Sequence, residues 1–242
     1  MADSIYSGFI SRTDEIRSRL IRIIMLVGAI AVIAYIFRDR VLSFITTPLN
    51  QGKLIFIHPT EAFFTYIKLS LFVGVLLGAP YILHQVLRFF YPILRDNEHA
   101  RGEIGSKFLI GFFSFGTLLF YLGSWFALRG VMPFAIKFLT GVSGESLEAN
   151  FTVGNYGSFI ITFVLIFGFL FEMPVISSGL ARAGLLRRKT LLSKWRLVIV
   201  TAAVLAAILT PPDPITQMFL WGPLLLLYGV SILLVGLIQR QD

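Results

Sequence analysis

Apolar residues fall into six long blocks along the chain, separated by short polar connections. The blocks lack the period-two alternation of membrane strands, and a helix is the remaining way to satisfy backbone hydrogen bonds in lipid. The pattern therefore predicts an all-α polytopic integral membrane protein, with six transmembrane helices in a single domain, residues 1–242. The predicted spans are Ile23–Phe37, Ala62–Leu87, Phe108–Leu128, Tyr156–Ala181, Leu197–Leu209 and Ile215–Ile238.

The spans are unequal in length. The fifth offers only roughly 20 Å of helix before Thr210-Pro-Pro-Asp-Pro214, less than the roughly 30 Å hydrocarbon core. We expect the fifth and sixth helices to be short and to form a tight hairpin that the prolines turn. The second span exceeds the core thickness, and Gly78-Ala-Pro80 in its middle is a place where it can bend.

Composition and charge agree with a membrane location. Hydrophobic residues make up 56% of the chain and charged residues 14%, which excludes an ordinary soluble domain. Most of the 21 Lys and Arg residues lie in the N-terminal tail and in the second and fourth connections, so the positive-inside rule predicts cytoplasmic termini. The net charge of +8 then serves anchoring and attraction to membrane lipids, and it requires no nucleic acid partner.

The chain shows no sign of catalytic or metal chemistry. It has no cysteine, and its three histidines have no metal-ligand spacing. The motifs for serine hydrolysis and for nucleotide binding are also absent. We therefore expect neither an enzyme nor a metal or cofactor.

Glu172 is the most informative residue, because it lies in an apolar stretch that runs from residue 160 to residue 176. An acid at this depth costs several kcal/mol, so it is usually functional or hydrogen-bonded in neutral form within the bundle. Gly168 lies one turn before it and Gly179 two turns after it, and small residues allow another backbone to approach. We predict that these three residues form a docking point for a partner helix with a polar residue at the same depth.

A different class of function stays open at this point. Glu172 and Lys68 could line the path of a small-solute or ion permease. Lys68 lies near one end of the second span and can extend toward the interface, so it is weaker support for a site at the membrane centre.

Six motifs make the chain recognisable. They cover nearly the whole chain and read Glu15-Ile-Arg-Ser-Arg-Leu20, Pro48-Leu49, Pro59-Thr-Glu-Ala-Phe-Phe-Thr-Tyr-Ile-Lys-Leu69, Phe89 with Pro92, Leu94 and Glu98, Phe171-Glu-Met-Pro174, and Leu209-Thr-Pro-Pro-Asp-Pro-Ile-Thr-Gln217. In order and spacing these motifs resemble those of the TatC family.

The resemblance implies a protein-translocation function. The family is the polytopic core of the twin-arginine translocase, which exports folded proteins with an Arg-Arg signal peptide by means of the proton-motive force. The implied partners are TatA- and TatB-like single-pass membrane proteins and twin-arginine signal peptides of folded cargo, in a multi-copy complex. The implied location is a bacterial or archaeal cytoplasmic membrane, or a thylakoid.

The resemblance also assigns roles to residues. Positions matching Glu98 and Glu15 recognise the twin arginines in the family, with those matching Phe89, Arg17 and Arg19 in the same region. Carboxylates suit this task because each can accept a bidentate guanidinium bond. The family usually has His-Leu where this chain has Arg12-Thr13, so we rank Glu98 before Glu15.

Local roles explain several of these residues about as well. Glu15 could pair with Arg19 one turn later, and Glu98 could lie in the first turn of a helix. Four further motif positions belong to the connections on the opposite side, where turn formation and helix capping are alternatives to a direct function. They are Pro48, Glu61, Asp213 and Gln217.

Overall fold

The computed structural model describes residues 2–47, 54–95, 106–142, 151–209 and 214–240. Within these ranges the chain forms ten α-helices, one π-helical turn and two very short strands. In chain order they are α1 (Ala2–Ile36), α2 (Arg38–Thr46), β1 (Leu54–Ile55), α3 (Pro59–Arg95), α4 (Ser106–Phe126), the π turn (Ala127–Val131), α5 (Met132–Val142), β2 (Phe151–Thr152), α6 (Val153–Phe171), α7 (Met173–Arg182), α8 (Arg188–Ser193), α9 (Trp195–Leu209) and α10 (Pro214–Arg240).

The helices confirm the predicted all-α membrane bundle. Five stretches are long and apolar enough to cross a membrane: Ile16–Ile36, Thr60–Val86, Gly111–Phe138, Val153–Arg182 and Leu220–Gln239. Helix α9 is the predicted fifth span, and its 15 residues make it short, as expected. A total of six spans, with both termini in the cytoplasm, stays a prediction.

The expectation of a short sixth helix is wrong. Helix α10 has 27 residues, about 40 Å of helix, and it runs unbroken through Pro223. Pro214 stands at its first position, where the missing N–H costs nothing because that group has no intrahelical partner. The proline-rich segment therefore starts a long helix rather than limiting its length.

Helix α3 passes through Pro80 without ending. Because Pro80 has no N–H, the carbonyl of Leu76 loses its usual partner within the helix. The hydroxyl of Tyr121, on α4, donates to this carbonyl at 3.1 Å. A side chain of a neighbouring helix thus satisfies the acceptor that the proline leaves open.

The core lies around α6, which packs against α3, α4 and the π turn. Phe163 and Phe167 are fully buried there, together with Ile160 and Phe120. The π turn ends beside Pro133, which has no N–H to continue the regular hydrogen-bond ladder.

One end of the bundle carries a small cap, which we define as α2, β1, β2 and the first turns of α3 and α6. Strands β1 and β2 pair in parallel, with Leu54 opposite Phe151. The hydroxyl of Tyr156 on α6 donates to the carbonyl of Ile45 on α2 at 3.1 Å. The cap therefore joins chain segments that are about a hundred residues apart.

Candidate functional site

The fourth span is broken at Glu172. Helix α6 ends at Phe171 and α7 begins at Met173, with Pro174 at the start of the second helix. The N–H of Glu172 donates to the carbonyl of Phe169 at 3.1 Å, and its own carbonyl accepts from Ile176 at 2.8 Å. Because Pro174 cannot donate, the regular ladder stops here and the acid lies at the joint between two helices.

The side chain of Glu172 points into the bundle. Only 4% of the residue is exposed, and a Cβ added at Gly116 of α4 would lie 3.0 Å from Oε2. The Oε1 atom is buried and has no hydrogen-bond partner among the described residues. The hydroxyl of Thr117, which follows Gly116 in the sequence, is also buried without a hydrogen-bond partner among the described residues. We call Glu172 and Gly116 the mid-membrane acid site.

Gly168 and Gly179 do allow a close approach, but the approaching helix belongs to the same chain. A Cβ added at Gly168 would lie 2.8 Å from Phe120, and one added at Gly179 would lie 2.8 Å from Phe112. Both aromatic residues are on α4. The expectation that these two glycines face a separate partner needs correction, because small residues mark a close contact without specifying which helix makes it.

An exposed apolar stripe lies next to the acid along α6 and α7. It consists of Phe169, Met173 and Ile176, which are 52%, 44% and 54% exposed. These residues are four and three positions apart, so they follow one face across the joint. This stripe was not predicted, although the spacing of its residues around Glu172 is visible in the sequence.

The residues predicted to recognise a signal peptide are only partly described. Glu98 lies outside the described residues. Glu15 is part of α1 and Phe89 is part of α3, but the structure describes only their backbone. Arg17 is exposed, and a terminal nitrogen of Arg19 donates to the carbonyl of Gln85 at 3.0 Å. Glu15 lies one turn before Arg19, and Phe89 one turn after Gln85. The Arg19–Gln85 bond therefore brings the two predicted segments to the same end of the bundle.

Glu61 forms a junction within the cap. Its Oε1 accepts from the backbone N–H of Gly154 at 2.9 Å, and its Oε2 accepts from the N–H of Ile57 at 3.1 Å. Gly154 is in the first turn of α6, whose N-cap residue Thr152 accepts from Asn155 at 3.2 Å. A carboxylate suits a helix N-terminus, because the first N–H groups there lack intrahelical partners. Capping therefore explains Glu61, although the capped helix is α6 rather than its own.

Gln217 connects the last two helices. Its side-chain amide donates to the carbonyl of Ala203 on α9 at 3.1 Å. One turn later, the indole N–H of Trp221 donates to the carbonyl of Ile199 at 3.1 Å. Pro48 and Asp213, the other two motif positions in these connections, lie outside the described residues.

Lys68 and Glu172 do not lie together. Lys68 is exposed, and its ammonium group is 3.4 Å from the hydroxyl of Ser158, in the second turn of α6. Glu172 follows the other end of α6, about 20 Å further along the helix axis. This separation argues against a shared permeation path. The described ranges also hold no group of three or more His, Asp or Glu residues that could bind a metal.

Comparisons with known proteins agree with the motif resemblance. The family model described as Sec-independent protein translocase protein (TatC) matches residues 12–223. The TatC protein of Aquifex aeolicus is 37% identical, over 95% of this chain and 96% of its own length. That of Desulforapulum autotrophicum is 34% identical, over 94% of this chain and 83% of its own length. A crystal structure of the twin arginine translocase receptor TatC superposes with a TM-score of 0.80, at 36% identity over 95% of this chain and all of that one.

Proposed function

The chain belongs to the TatC family of Sec-independent protein translocase proteins, and we propose that it acts as the signal-peptide receptor and scaffold subunit of a twin-arginine translocase. The observation that carries this proposal is the TM-score of 0.80, over 95% of the chain, with the twin arginine translocase receptor. The permease alternative has no comparable support, because its two residues lie far apart.

The proposed signal-binding surface contains Glu98 and Glu15, with Phe89, Arg17 and Arg19 around them. The Arg19–Gln85 bond supports it, since that bond holds the α1 tail against the end of α3 from which the chain continues to Glu98. Two carboxylates at the membrane interface could each bind one guanidinium group through paired hydrogen bonds. Lysine lacks this planar fork, so the surface would distinguish Arg-Arg from Lys-Lys.

Capture of a signal peptide by the detergent-solubilised protein tests this proposal. We expect an Arg-Arg peptide to bind well above a Lys-Lys peptide of otherwise identical sequence. Glu98→Ala should weaken capture more than Glu15→Ala, because three arginines flank Glu15 in the sequence, at positions 12, 17 and 19, and would reduce its attraction for another guanidinium group. Equal binding of the two peptides would remove the receptor function, and the reverse order of the two variants would show that the acids are ranked wrongly.

The second proposed surface lies in the membrane, beside Glu172. A TatA- or TatB-like single-pass helix could pack on the stripe of Phe169, Met173 and Ile176. A polar residue of that helix would bind the unpaired oxygen of Glu172 after the carboxylate turns from α4 toward the stripe. The burial of that oxygen without a partner supports this, since such an atom is costly unless the assembled complex satisfies it.

Photocrosslinking in native membranes tests this second surface. A crosslinker at Met173 should capture a single-pass membrane protein, and Glu172→Leu should abolish the adduct. Leu233 on α10 is a matched control, because it is similarly exposed and apolar. Capture at both positions alike, or of lipid alone at Met173, would contradict a docking site at the acid.

Orientation and energy source complete the proposal. Both termini would face the cytoplasm, and transport would draw on the proton-motive force. Because the chain contains no cysteine, single cysteines introduced at Ser4 and at Lys53 would report the two sides without background labelling. Labelling of both by the same impermeant reagent in intact cells would refute this orientation.

A further inference from the structure

A groove of about 400 Å³ runs between α1 and α3 on the surface of the bundle. Its walls include Gly28, Val32 and Ile36 on α1, and Ile67 and Leu71 on α3. These residues recur every three or four positions, so each helix contributes one continuous face. Val32, Ile36 and Leu71 are exposed, and the groove therefore opens toward the hydrocarbon of the membrane.

Glycine shapes both the end and the floor of this groove. A Cβ added at Gly74 would lie 2.6 Å from the carbonyl of Val27, so the two helices touch closely at that level. At Gly28, by contrast, an added Cβ would meet nothing within 4 Å. The groove begins where the tight contact ends, and the missing side chain of Gly28 leaves part of its space empty.

The described walls are mostly apolar. Two lining residues carry a hydroxyl: Ser70, whose hydroxyl donates to the carbonyl of Tyr66 at 2.7 Å, and Tyr35, at the end of the groove. Membrane helices associate through close packing and through polar contacts between them, and along the length of this groove the walls offer mainly the first. From Gly28 to Ile36 it extends about 12 Å along α1, close to the roughly 15 Å depth of one leaflet's hydrocarbon.

A cation stands at the open end of the groove. The guanidinium carbon of Arg38 lies 5.5 Å from the ring centroid of Tyr35 and 5.6 Å from that of Tyr66. Tyr35 is also a lining residue, so the charge is fixed directly beside the groove. Tyrosine is enriched at the level of the lipid headgroups, and arginine binds phosphate through two parallel hydrogen bonds.

We propose that this groove is a phospholipid site, in which one acyl chain lies between α1 and α3 and Arg38 binds the headgroup phosphate. The acyl chain fills a space that would otherwise lack contacts. Surrounding lipid is equally apolar, so the groove alone gives little selectivity, and the Arg38–phosphate contact supplies the specificity. The lipid comes from the leaflet in which the α1 span ends.

Native mass spectrometry of the purified full chain, with added dioleoyl phosphatidylglycerol, measures this binding. Gly28→Leu should block the groove and Arg38→Gln should remove the phosphate contact. Arg38→Gln should weaken the first lipid-binding event about tenfold, the loss expected for one hydrogen bond to a charged group. Gly28→Leu should also weaken it, because the new side chain occupies the space of the acyl chain. The matched controls are Gly229→Leu, where an added Cβ also meets nothing, and Arg40→Gln, whose arginine stacks on Phe37 instead.

Two outcomes would overturn the proposal. One is an equal effect, or no effect, across the four variants, because lipid would then bind without reference to the groove. A second test places a photocrosslinker at Val32 in native membranes, and we expect it to form a phospholipid adduct. Capture there of a single-pass membrane protein or of a second copy of this chain would assign the groove to a protein instead. The crosslinking does not depend on the folding of any groove variant.

Discussion

Two carboxylates in the described part of the chain are held in opposite ways. Glu61, in the cap, binds two backbone N–H groups at 2.9 and 3.1 Å and joins α3 to α6. Glu172 is buried against α4 and has an oxygen without a partner in the described chain. Both carboxylate oxygens of Glu61 accept hydrogen bonds from the same chain, whereas Oε1 of Glu172 accepts none from the described residues. Hydrogen bonding therefore separates the two acids: the contacts of Glu61 give it a structural role within the chain, whereas for Glu172 we propose a role in assembly.

The largest loss of stability is expected from overpacking the helices that enclose the mid-membrane acid site. A Cβ added at Gly123 would lie 2.5 Å from the carbonyl of Phe167 and 2.7 Å from the ring of Phe171. The backbone cannot move aside, so Gly123→Leu should cost about 3 kcal/mol in the free energy of unfolding. Thermal unfolding in detergent measures it, with Gly229→Leu as the control in open space. Equal stability of the two variants would mean that α4 does not lie as close to α6 as described.

Removing the carboxylate of Glu61 from the cap should give the next largest loss of stability. Glu61→Ala leaves the N–H groups of Gly154 and Ile57 without their acceptor, and the melting temperature should fall. Glu61→Gln keeps one carbonyl oxygen and should fall between Glu61→Ala and the unchanged protein. Lys68→Gln is the control, since its only described bond is a 3.4 Å contact at the surface. If Glu61→Ala melts like the control, the junction does not stabilise the cap.

A smaller loss of stability is expected when the carbonyl of Leu76, which Pro80 leaves without a helical donor, also loses the hydroxyl of Tyr121. Tyr121→Phe removes the hydroxyl that donates to Leu76, which should cost about 1 kcal/mol. In a Pro80→Ala background the cost should shrink, because the restored helical N–H then satisfies the same carbonyl. A double-mutant cycle by thermal unfolding measures this coupling. Equal costs in both backgrounds would show that Tyr121 stabilises through packing alone.

The smallest effect on the isolated protein is expected at Glu172 itself. Glu172→Leu replaces an incompletely bonded acid by an apolar side chain of similar size, so stability should stay within about 1 kcal/mol of the original. Partner capture from Met173 should nevertheless disappear. A loss of stability as large as that of Glu61→Ala would mean that the carboxylate has an internal role, and the comparison between the two acids would fail.

Much of the fold could be predicted from the sequence, because lipid forces each span to form its own hydrogen bonds. The predicted span Tyr156–Ala181 lies within the observed Val153–Arg182, and Leu197–Leu209 lies within α9. The π turn and α5 were not anticipated, since Pro133 shows where a ladder is interrupted but not how the backbone adapts. Helix α10 is longer than predicted, because Pro214 starts a helix that continues to Arg240.

The candidate site was predictable in its parts but not in its contacts. The apolar surroundings of Glu172 signalled an unusual acid, and the glycines signalled close packing. Nothing local in the sequence indicates that α4 supplies the opposing surface, because the contact joins residues more than fifty positions apart. The partner of Glu61 was hidden for the same reason, since Gly154 lies 93 positions away.

The cap junction has a consequence for the sequence variation that this fold can tolerate. Glu61 binds backbone N–H groups, so the side chain at Ile57 takes no part in the bond and can vary. Gly154 cannot vary in the same way, because a Cβ there would lie 2.7 Å from Oε1 of Glu61 and displace the carboxylate. Among natural or designed variants, positions 61 and 154 should therefore change together or not at all, while position 57 drifts freely.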